Sequence, residues 1–119
     1  MLLTVAKSSN YFMQAHRRDT DLRLAFGWLS RAAEQGLAVA QDELGSFYAN
    51  GQGVARDATQ AVLWYRKAAE QGADWGQYNL AVMYWNGDGT TQAQAMQWYR
   101  KSAEQGNPYA QVALAACRT

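Results

Sequence analysis

Hydrophobic residues in the middle of this chain recur three and four positions apart, which is the spacing of one face of an α-helix. Two stretches each carry a Leu and a Tyr four residues apart, so that both side chains point from the same face: Leu44 with Tyr48, and Leu80 with Tyr84. Both stretches stop at an Asn-Gly pair, where glycine can take the left-handed conformation that ends a helix. The pattern predicts helices over roughly 38–50 and 74–86.

A second helix is predicted after each of these. Asp57 can cap its start, and Gln60 stands three residues on, as in a capping box. The helix then runs to Gln71 and ends at Gly72. The corresponding capping pair one repeat later is Thr91 with Gln94. Pro108 suits the first turn of a last helix, because its missing N–H costs nothing there.

The helix pairs belong to an internal repeat. Residues 64–72 reappear as 98–106 with a single difference, and a more divergent copy occupies 28–36. We call these three segments the tails, and the glycines that end them are 36 and 34 residues apart. A second shared block occupies 44–53 and recurs at 80–89. One helix pair cannot bury its apolar face alone, so the units must stack. We predict one solenoid domain over 1–119, with units 1–36 (degenerate), 37–72, 73–106 and a half unit 107–119.

Residues of similar size recur at equivalent positions of the repeat. Small residues that let neighbouring helices approach closely recur in two sets: Ala40, Gly76 and Ala110, and Ala61 and Ala95. The large residues Trp64 and Trp98 are expected to fill the space between layers. A glutamate precedes the end of every tail, at Glu34, Glu70 and Glu104. Because it opposes the helix dipole and still recurs, we expect it to make a structural bond, for instance to the next helix.

The pattern Leu-Gly-x-x-Tyr-x-x-Gly-x-Gly-Val-x-x-Asp, followed by Ala-x-x-Trp-Tyr-x-Lys-Ala-Ala-Glu-Gln-Gly, resembles the Sel1-like repeat, a relative of the tetratricopeptide repeat. Residues 37–72 fit it almost completely. Residues 73–106 carry Ala81 in place of the glycine and lack two loop residues, which should tighten the loop before Thr91. Residues 1–36 keep the tail, together with Asp21, Ala25 and Trp28. The resemblance implies an all-α fold, a right-handed α-α superhelix of helix-turn-helix repeats.

The same resemblance implies a function of a general kind. Proteins of this family typically act as adaptors or scaffolds that present a concave face to another protein. We therefore expect a protein–protein interaction scaffold. The alternative is an immunity or regulatory protein that blocks one secreted effector enzyme, as some bacterial members do. Both expectations are analogies from the fold.

Candidate chemistry is sparse. His16 is the only histidine and Cys117 the only cysteine, which excludes an intramolecular disulfide and clustered-imidazole or thiolate metal sites. The Gly-rich segments 51–53 and 87–89 lack the flanking strand and Lys-Ser/Thr of a phosphate-binding loop. We predict a protein that is not an enzyme, with no catalytic, cofactor or metal site. A formal charge of +1 gives no basis for a nucleic-acid partner, and no apolar segment is long enough for membrane insertion.

One face of the 74–86 helix is the candidate binding site. At about 100° per residue, Gln77, Leu80, Ala81 and Tyr84 cluster on the side that the repeat must bury. The residues nearly opposite are mostly aromatic: Trp75, Tyr78, Val82 and Trp85. Tyr109 and Val39 occupy the repeat position of Trp75. In a tetratricopeptide-like stack this side lines the concave groove, and aromatic residues anchor protein interfaces.

Two interpretations of this face stay open. Either it is an exposed protein-binding patch made by Trp75, Tyr78, Val82, Trp85 and Tyr109, or neighbouring first helices pack there and bury part of it. We expect Trp75 and Trp85 to be exposed. The groove should be uneven, acidic near Asp42 and Glu43 and aromatic beyond.

The last helix gives a second candidate surface. Residues 112–117 are apolar nearly all round, whereas the ends of a solenoid usually need a polar outer face. We expect either that the stack continues in a partner copy, making a homo-oligomer through this helix, or that the chain is a natural fragment. The sequence leaves the compartment open between the cytoplasm and an exported location.

Overall fold

The computed structural model describes residues 20–87 and 92–117, and all regular structure in this part of the chain is helical. The helices are α1 (20–34), α2 (Ala38–Asn50), α3 (Ala58–Glu70), α4 (Asp74–Trp85), α5 (Gln92–Glu104) and α6 (Pro108–Cys117). The predicted helix positions and the all-α fold are confirmed. Thr91, the loop before it and His16 lie outside the described residues.

The helices stack in chain order. From α2 to α6 each helix packs against the next, α1 packs against α2 through Phe26 and Leu29, and α2 also contacts α4. We call α2, α4 and α6 the first helices and α1, α3 and α5 the second helices. The layers of this stack place the first helices side by side, which positions the candidate site.

The tail glycines end the second helices as predicted. Gly36, Gly72 and Gly106 have φ of 95°, 91° and 94°, in the left-handed region that favours glycine. At each of them two backbone N–H groups turn back to carbonyls of the last helical turn, for example Gly72 to Ala69 at 3.0 Å and Ala73 to Ala68 at 3.2 Å. This is the Schellman motif, and it satisfies carbonyls that a helix end leaves without partners.

The 51–57 loop differs in one respect from the prediction. The Gln60 backbone N–H donates to Asp57 Oδ1 at 3.1 Å, so Asp57 caps α3 as predicted. The Asp57 N–H donates to the Tyr48 carbonyl at 2.9 Å instead of to a Gln60 side chain, so only half of the capping box forms. Gly53 has φ of 66°, and a Cβ there would collide with the Leu22 backbone. The loop therefore packs directly against α1.

Five glutamines form a ladder that links successive helices, and we call it the glutamine ladder: Gln41, Gln71, Gln77, Gln105 and Gln111. Its first type of step joins a first helix to the preceding second helix, with Nε2 donating to a carbonyl of that helix's last turn. The three steps of this type run from Gln41 to Ala33 (3.1 Å), from Gln77 to Ala69 (3.3 Å) and from Gln111 to Ala103 (3.2 Å).

The second type of step brings in the next second helix. Gln71 Nε2 donates to Gln41 Oε1 at 2.7 Å and to the Gly36 carbonyl at 2.9 Å. Gln105 repeats both bonds one layer on, to Gln77 Oε1 at 2.9 Å and to the Gly72 carbonyl at 2.8 Å. Each tail glutamine therefore joins its own helix to the previous first helix and to the turn before it.

The recurrent glutamates do not make the bond expected of them. Glu34, Glu70 and Glu104 are exposed, and no described residue bonds to their carboxylates. The residue that follows each in the tail is a glutamine, and Gln71 and Gln105 make the interhelical bonds instead. A neutral amide can donate to carbonyls at the helix C-terminus, whereas a carboxylate would meet the negative end of the dipole there.

The small residues allow close packing as predicted. Ala61, Ala95 and Ala110 are completely buried, and the large Trp64 and Trp98 pack half-buried against the clusters between layers. The helices α3 and α4 approach closely at Gly76, where an added Cβ would lie 2.7 Å from the Ala68 Cβ.

We expect Gln71→Ala to lower the free energy of unfolding by about 1–2 kcal/mol, because it removes two interhelical hydrogen bonds and leaves two acceptors without that donor. The matched control is Glu70→Ala, one residue away, exposed and without a bond to any described residue; its effect should stay within about 0.5 kcal/mol. Urea denaturation followed by circular dichroism measures both. Equal effects of the two variants would contradict the ladder's role.

We expect Gly76→Ala to destabilise the protein by about 1 kcal/mol or more, because the new methyl overpacks the α3–α4 contact. The control is Gly27→Ala in α1, where nothing lies within 4 Å of the added Cβ. That change should stabilise by about 0.5–1 kcal/mol, since alanine is the better helix former. The same denaturation measurement decides, and stabilisation by both changes would show that α3 and α4 are not closely packed.

Candidate functional site

Large apolar side chains lie exposed at the same position of three successive first helices. Val39 on α2, Trp75 on α4 and Tyr109 on α6 are 65%, 45% and 60% exposed. They lie side by side because the repeat places equivalent residues of the first helices on one face of the stack. We call this side of α2, α4 and α6 the first-helix face.

The aromatic members of this face contact one another. The Trp75 ring lies 5.5 Å from Tyr109 and 6.0 Å from Tyr78 between centroids, and Tyr78 lies 6.0 Å from Tyr109. The Trp75–Tyr78 contact is edge to face, at 89°. Tyr78 also reaches Tyr99 of α5 at 5.9 Å. We call these four residues the aromatic cluster; its outer members are Trp75 and Tyr109.

The two interpretations of the face each hold for part of it. Tyr78 and Val82 are half-buried and pack against a core cluster that contains Ala81, Tyr99 and Ala110. This part of the face is the contact between α4 and α6. The N-terminal end of α4 stays open, so the exposed apolar surface on this side consists of Trp75, Tyr109, their counterpart Val39, and Val112 on α6.

Trp85 differs from the expectation that it would be exposed. It is half-buried and lines a shallow pocket with Tyr99, Ala113, Ala116 and Cys117. Ten helical residues separate it from Trp75, which moves it about 15 Å along the axis, although around the helix it lies within about 20° of Tyr78. Trp85 therefore packs toward α5 and α6 and does not join the aromatic cluster.

Tyr99 is the member that sequence analysis did not place in the site. It belongs to a second helix, is 5% exposed, and supports Tyr78 from beneath. Burial, with smaller contributions from Tyr78 and Cys117, raises the pKa of the Tyr99 phenol to about 12. Its sequence signal is the Trp-Tyr pair of every complete tail, since Tyr65 is buried at the same position.

An acidic region borders the cluster on the α2 side. Asp42 is half-buried and accepts a hydrogen bond from Asn79 Nδ2 at 2.8 Å, which ties α2 to α4. Burial raises the pKa of the Asp42 carboxyl; the bond from Asn79 opposes this rise, and the nearby Glu43 and Asp74 carboxylates add to it. The predicted acidic-to-aromatic gradient along the face agrees with this arrangement.

The described residues offer little other chemistry. No group of three or more His, Cys, Asp or Glu side chains in 20–87 and 92–117 could hold a metal ion. Cys117 is a free, half-buried thiol in the pocket beside Trp85. No helix in the described part of the chain is both long enough and apolar enough to span a bilayer.

We expect Asp42→Asn to raise the melting temperature at neutral pH. The folded-state pKa of Asp42 lies above its ordinary 3.8, so the carboxyl is harder to ionise in the folded chain than in the unfolded one. Stability therefore falls as pH rises from about 3.8 through the folded pKa, and stays lower above it. An asparagine carries no charge and keeps an acceptor for Asn79.

Thermal melts at pH 7 and at about pH 3 measure this effect, and the gain should disappear at the lower pH, where Asp42 is protonated. Glu43→Gln, an exposed neighbour, is the control and should change the melting temperature less. A variant of Asp42 that is less stable than wild type at pH 7 would contradict the assignment.

The family model of the Sel1 repeat matches residues 11–37, 38–72 and 76–107. A search of curated proteins gave no match.

Solved structures of repeat proteins are similar to this chain. A Sel1 repeat protein from Oxalobacter formigenes is 39% identical with a TM-score of 0.70, over 77% of this chain and 39% of that one. The protein c5321, described as a protective antigen present in uropathogenic Escherichia coli strains displaying an SLR fold, is 43% identical with a TM-score of 0.73, over 77% of this chain and 20% of its own.

Helicobacter pylori cysteine rich protein B is 30% identical with a TM-score of 0.65, over 71% of this chain and 65% of its own. This chain thus spans less than two-thirds of the length of each of the three proteins. The family model covers most of the residues, and the stacked helix pairs carry its tails and glycine turns. The chain belongs to the Sel1 repeat family.

Proposed function

We propose that this chain is a protein–protein interaction module that binds its partner through the first-helix face, with Trp75 and Tyr109 as anchors. The Sel1-repeat fold is a general scaffold for protein–protein interaction, and proteins built from it are generally not catalytic. The fold alone does not say which surface binds, so the proposal depends on the residues of this chain.

One observation carries the proposal: Trp75 and Tyr109 contact each other at 5.5 Å and yet remain 45% and 60% exposed. Packing in this stack is done by other repeat positions, namely the buried alanines and leucines together with the tail Trp-Tyr pairs. A tryptophan and a tyrosine on the surface contribute nothing of that kind. Clustered exposed aromatic residues are typical of the centre of a protein interface.

The aromatic cluster is also ordered before a partner arrives. Each outer ring rests on Tyr78, which in turn rests on the buried Tyr99. Side chains held in this way lose little conformational entropy on binding, so more of the contact free energy appears as affinity. An isolated exposed tryptophan would lack this advantage.

The surroundings of the cluster indicate the chemistry of the partner. Asp42 and Glu43 lie on its α2 side and Asp74 at the start of α4, and the Glu43 and Asp74 carboxylates are close enough to raise the pKa of Asp42. A matching segment carries apolar or aromatic side chains for the Trp75–Tyr109 surface and a Lys or Arg directed toward these carboxylates. Complementary charge of this type sets orientation and association rate more than affinity.

The test is partner capture by the immobilised chain, quantified by mass spectrometry and followed by affinity measurement on the proteins captured. We expect the double change Trp75→Ala with Tyr109→Ala to weaken binding by about 2 kcal/mol or more, since both anchors are lost. Helix content and melting temperature should change little, because both side chains are exposed.

The control is Leu63→Ala, which removes an exposed apolar side chain from the second helix α3, away from this face. Its binding should equal that of wild type. Undiminished capture by the double variant would overturn the proposal. Loss of folding in that variant would show that the two aromatics are core residues.

A further inference from the structure

A shallow pocket, which we call the Trp85 pocket, lies between α4 and α6 toward the C-terminal ends of these helices. Its volume is about 220 Å³. Residues of α4, α5 and α6 line it: Trp85, Tyr99, Ala113, Ala116 and Cys117. Seven residues separate Trp85 from Tyr78 and Ala116 from Tyr109, so within each pair the two side chains differ by only about 20° around the helix. The Trp85 pocket therefore opens on the same side of the stack as the aromatic cluster.

The pocket forms because α6 carries smaller side chains here than α4 carries one layer earlier. Three repeat positions differ: Asn79, Val82 and Met83 on α4 become Ala113, Ala116 and Cys117 on α6. On α4, Met83 packs against the cluster that contains Tyr65, and Asn79 is held by its bond to Asp42. With alanine at two of these positions, the described residues leave the space beside Tyr99 unfilled.

The Tyr99 hydroxyl is the polar group at this pocket that lacks a partner. Tyr99 is 5% exposed, and no described residue makes a hydrogen bond with its hydroxyl. Its counterpart Tyr65 shares a 2.8 Å hydrogen bond with Ser46 Oγ. The residue of α4 at the position of Ser46 is Val82, which has no polar side-chain atom. The phenol of Tyr99, protonated at neutral pH, is therefore a donor that an acceptor entering the pocket can satisfy.

The size of the pocket selects the kind of ligand. Sites for small molecules usually measure about 300–1,000 Å³ and enclose most of the ligand. A shallow pocket of about 220 Å³ instead accommodates one side chain of a larger molecule that lies across it. The Trp85 indole and the methyl groups of Ala113 and Ala116 favour an apolar side chain. The Tyr99 hydroxyl requires an acceptor next to that side chain, and a peptide backbone supplies one in the carbonyl of every residue.

We propose that the partner segment bound at Trp75 and Tyr109 continues along α4 and α6 and places a second apolar side chain in the Trp85 pocket, where the Tyr99 hydroxyl donates to a carbonyl of the segment. This inference rests on the proposed function. The pocket lies about 10–15 Å from the outer aromatic residues, because seven residues separate Tyr109 from Ala116 and ten separate Trp75 from Trp85. An extended segment covers that distance in about three to five residues.

Selection of a displayed library of random dodecapeptides on the immobilised 119-residue chain tests the spacing. We expect the enriched peptides to share two apolar residues about three to five positions apart. The same selection on Ala116→Leu, which fills the pocket, should keep one apolar residue and lose the requirement for the other. Ala115→Leu is the matched control, because it makes the same change at an exposed neighbour that does not line the pocket. It should select the same motif as wild type.

A peptide enriched on wild type then serves as the probe for the pocket itself. Cys117 is the only cysteine of the chain, so the rate of its alkylation by iodoacetamide reports access to the pocket. We expect the bound peptide to slow this reaction.

The Tyr99 hydroxyl is tested by Tyr99→Phe, which should weaken the peptide on the order of fivefold, as expected for the loss of one hydrogen bond. The melting temperature of this variant should not fall, because the hydroxyl has no partner among the described residues of the folded chain. Tyr65→Phe is the matched control: it breaks the bond to Ser46, so it should lower the melting temperature and leave the affinity for the peptide unchanged.

The outcomes separate this inference from the proposed function. Selected peptides that leave the alkylation of Cys117 unchanged, or that bind Ala116→Leu as tightly as wild type, would overturn the inference. The first-helix face would still stand as the binding site if the double change Trp75→Ala with Tyr109→Ala abolishes their binding. Peptides that protect Cys117 and bind this double variant like wild type would overturn the proposed function but not the pocket as a binding site. A wild-type chain that enriches no peptide would overturn both.

Discussion

The stack depends on how the carbonyl ends of its second helices are satisfied. A helix leaves its last four carbonyls without partners inside the helix, and these ends lie against the next first helix, where an unpaired group is costly. The tail glycine returns two backbone N–H groups to them, and Gln41 or Gln77 supplies a side-chain donor. The next tail glutamine then binds that glutamine in turn. Geometry at one helix end therefore fixes the position of the helices on both sides of it.

Because stacking is fixed by these positions, the first-helix face is free to differ from layer to layer. The outer position changes from valine to tryptophan to tyrosine, at Val39, Trp75 and Tyr109, and all three remain exposed. The neighbouring position changes from Asp42 to Tyr78 and then to a valine. These changes leave the buried alanines and leucines of the repeat unaltered. Stability and recognition thus depend on different repeat positions of the same helices.

Much of the fold follows from the sequence because its signals are local. The tail glycines, Asp57 as a cap and Pro108 at the start of α6 each act within one turn, and all are found as predicted. The bonds of the ladder are not local, since Gln71 and Gln41 are 30 residues apart. Sequence periodicity marks a recurrent residue without identifying its partner, so it does not distinguish the glutamates, which are predicted to make the structural bond, from the glutamines beside them, which make it.

The candidate site was predictable to a similar extent. Helical angles place Trp75, Tyr78 and Tyr109 on one side correctly, because a single turn separates Trp75 from Tyr78 and the repeat supplies Tyr109. The same angles do not place Trp85, because they ignore the distance along the axis: about 15 Å from Trp75, it lies against α5 and α6. Asn107 shows a further limit: it caps α6 through a 3.0 Å bond from the Ala110 N–H while its own amide reaches Asp74 at 3.2 Å. The bond from Ala110 is local and can be predicted from the sequence, whereas the bond to Asp74 depends on the stacked neighbouring helix.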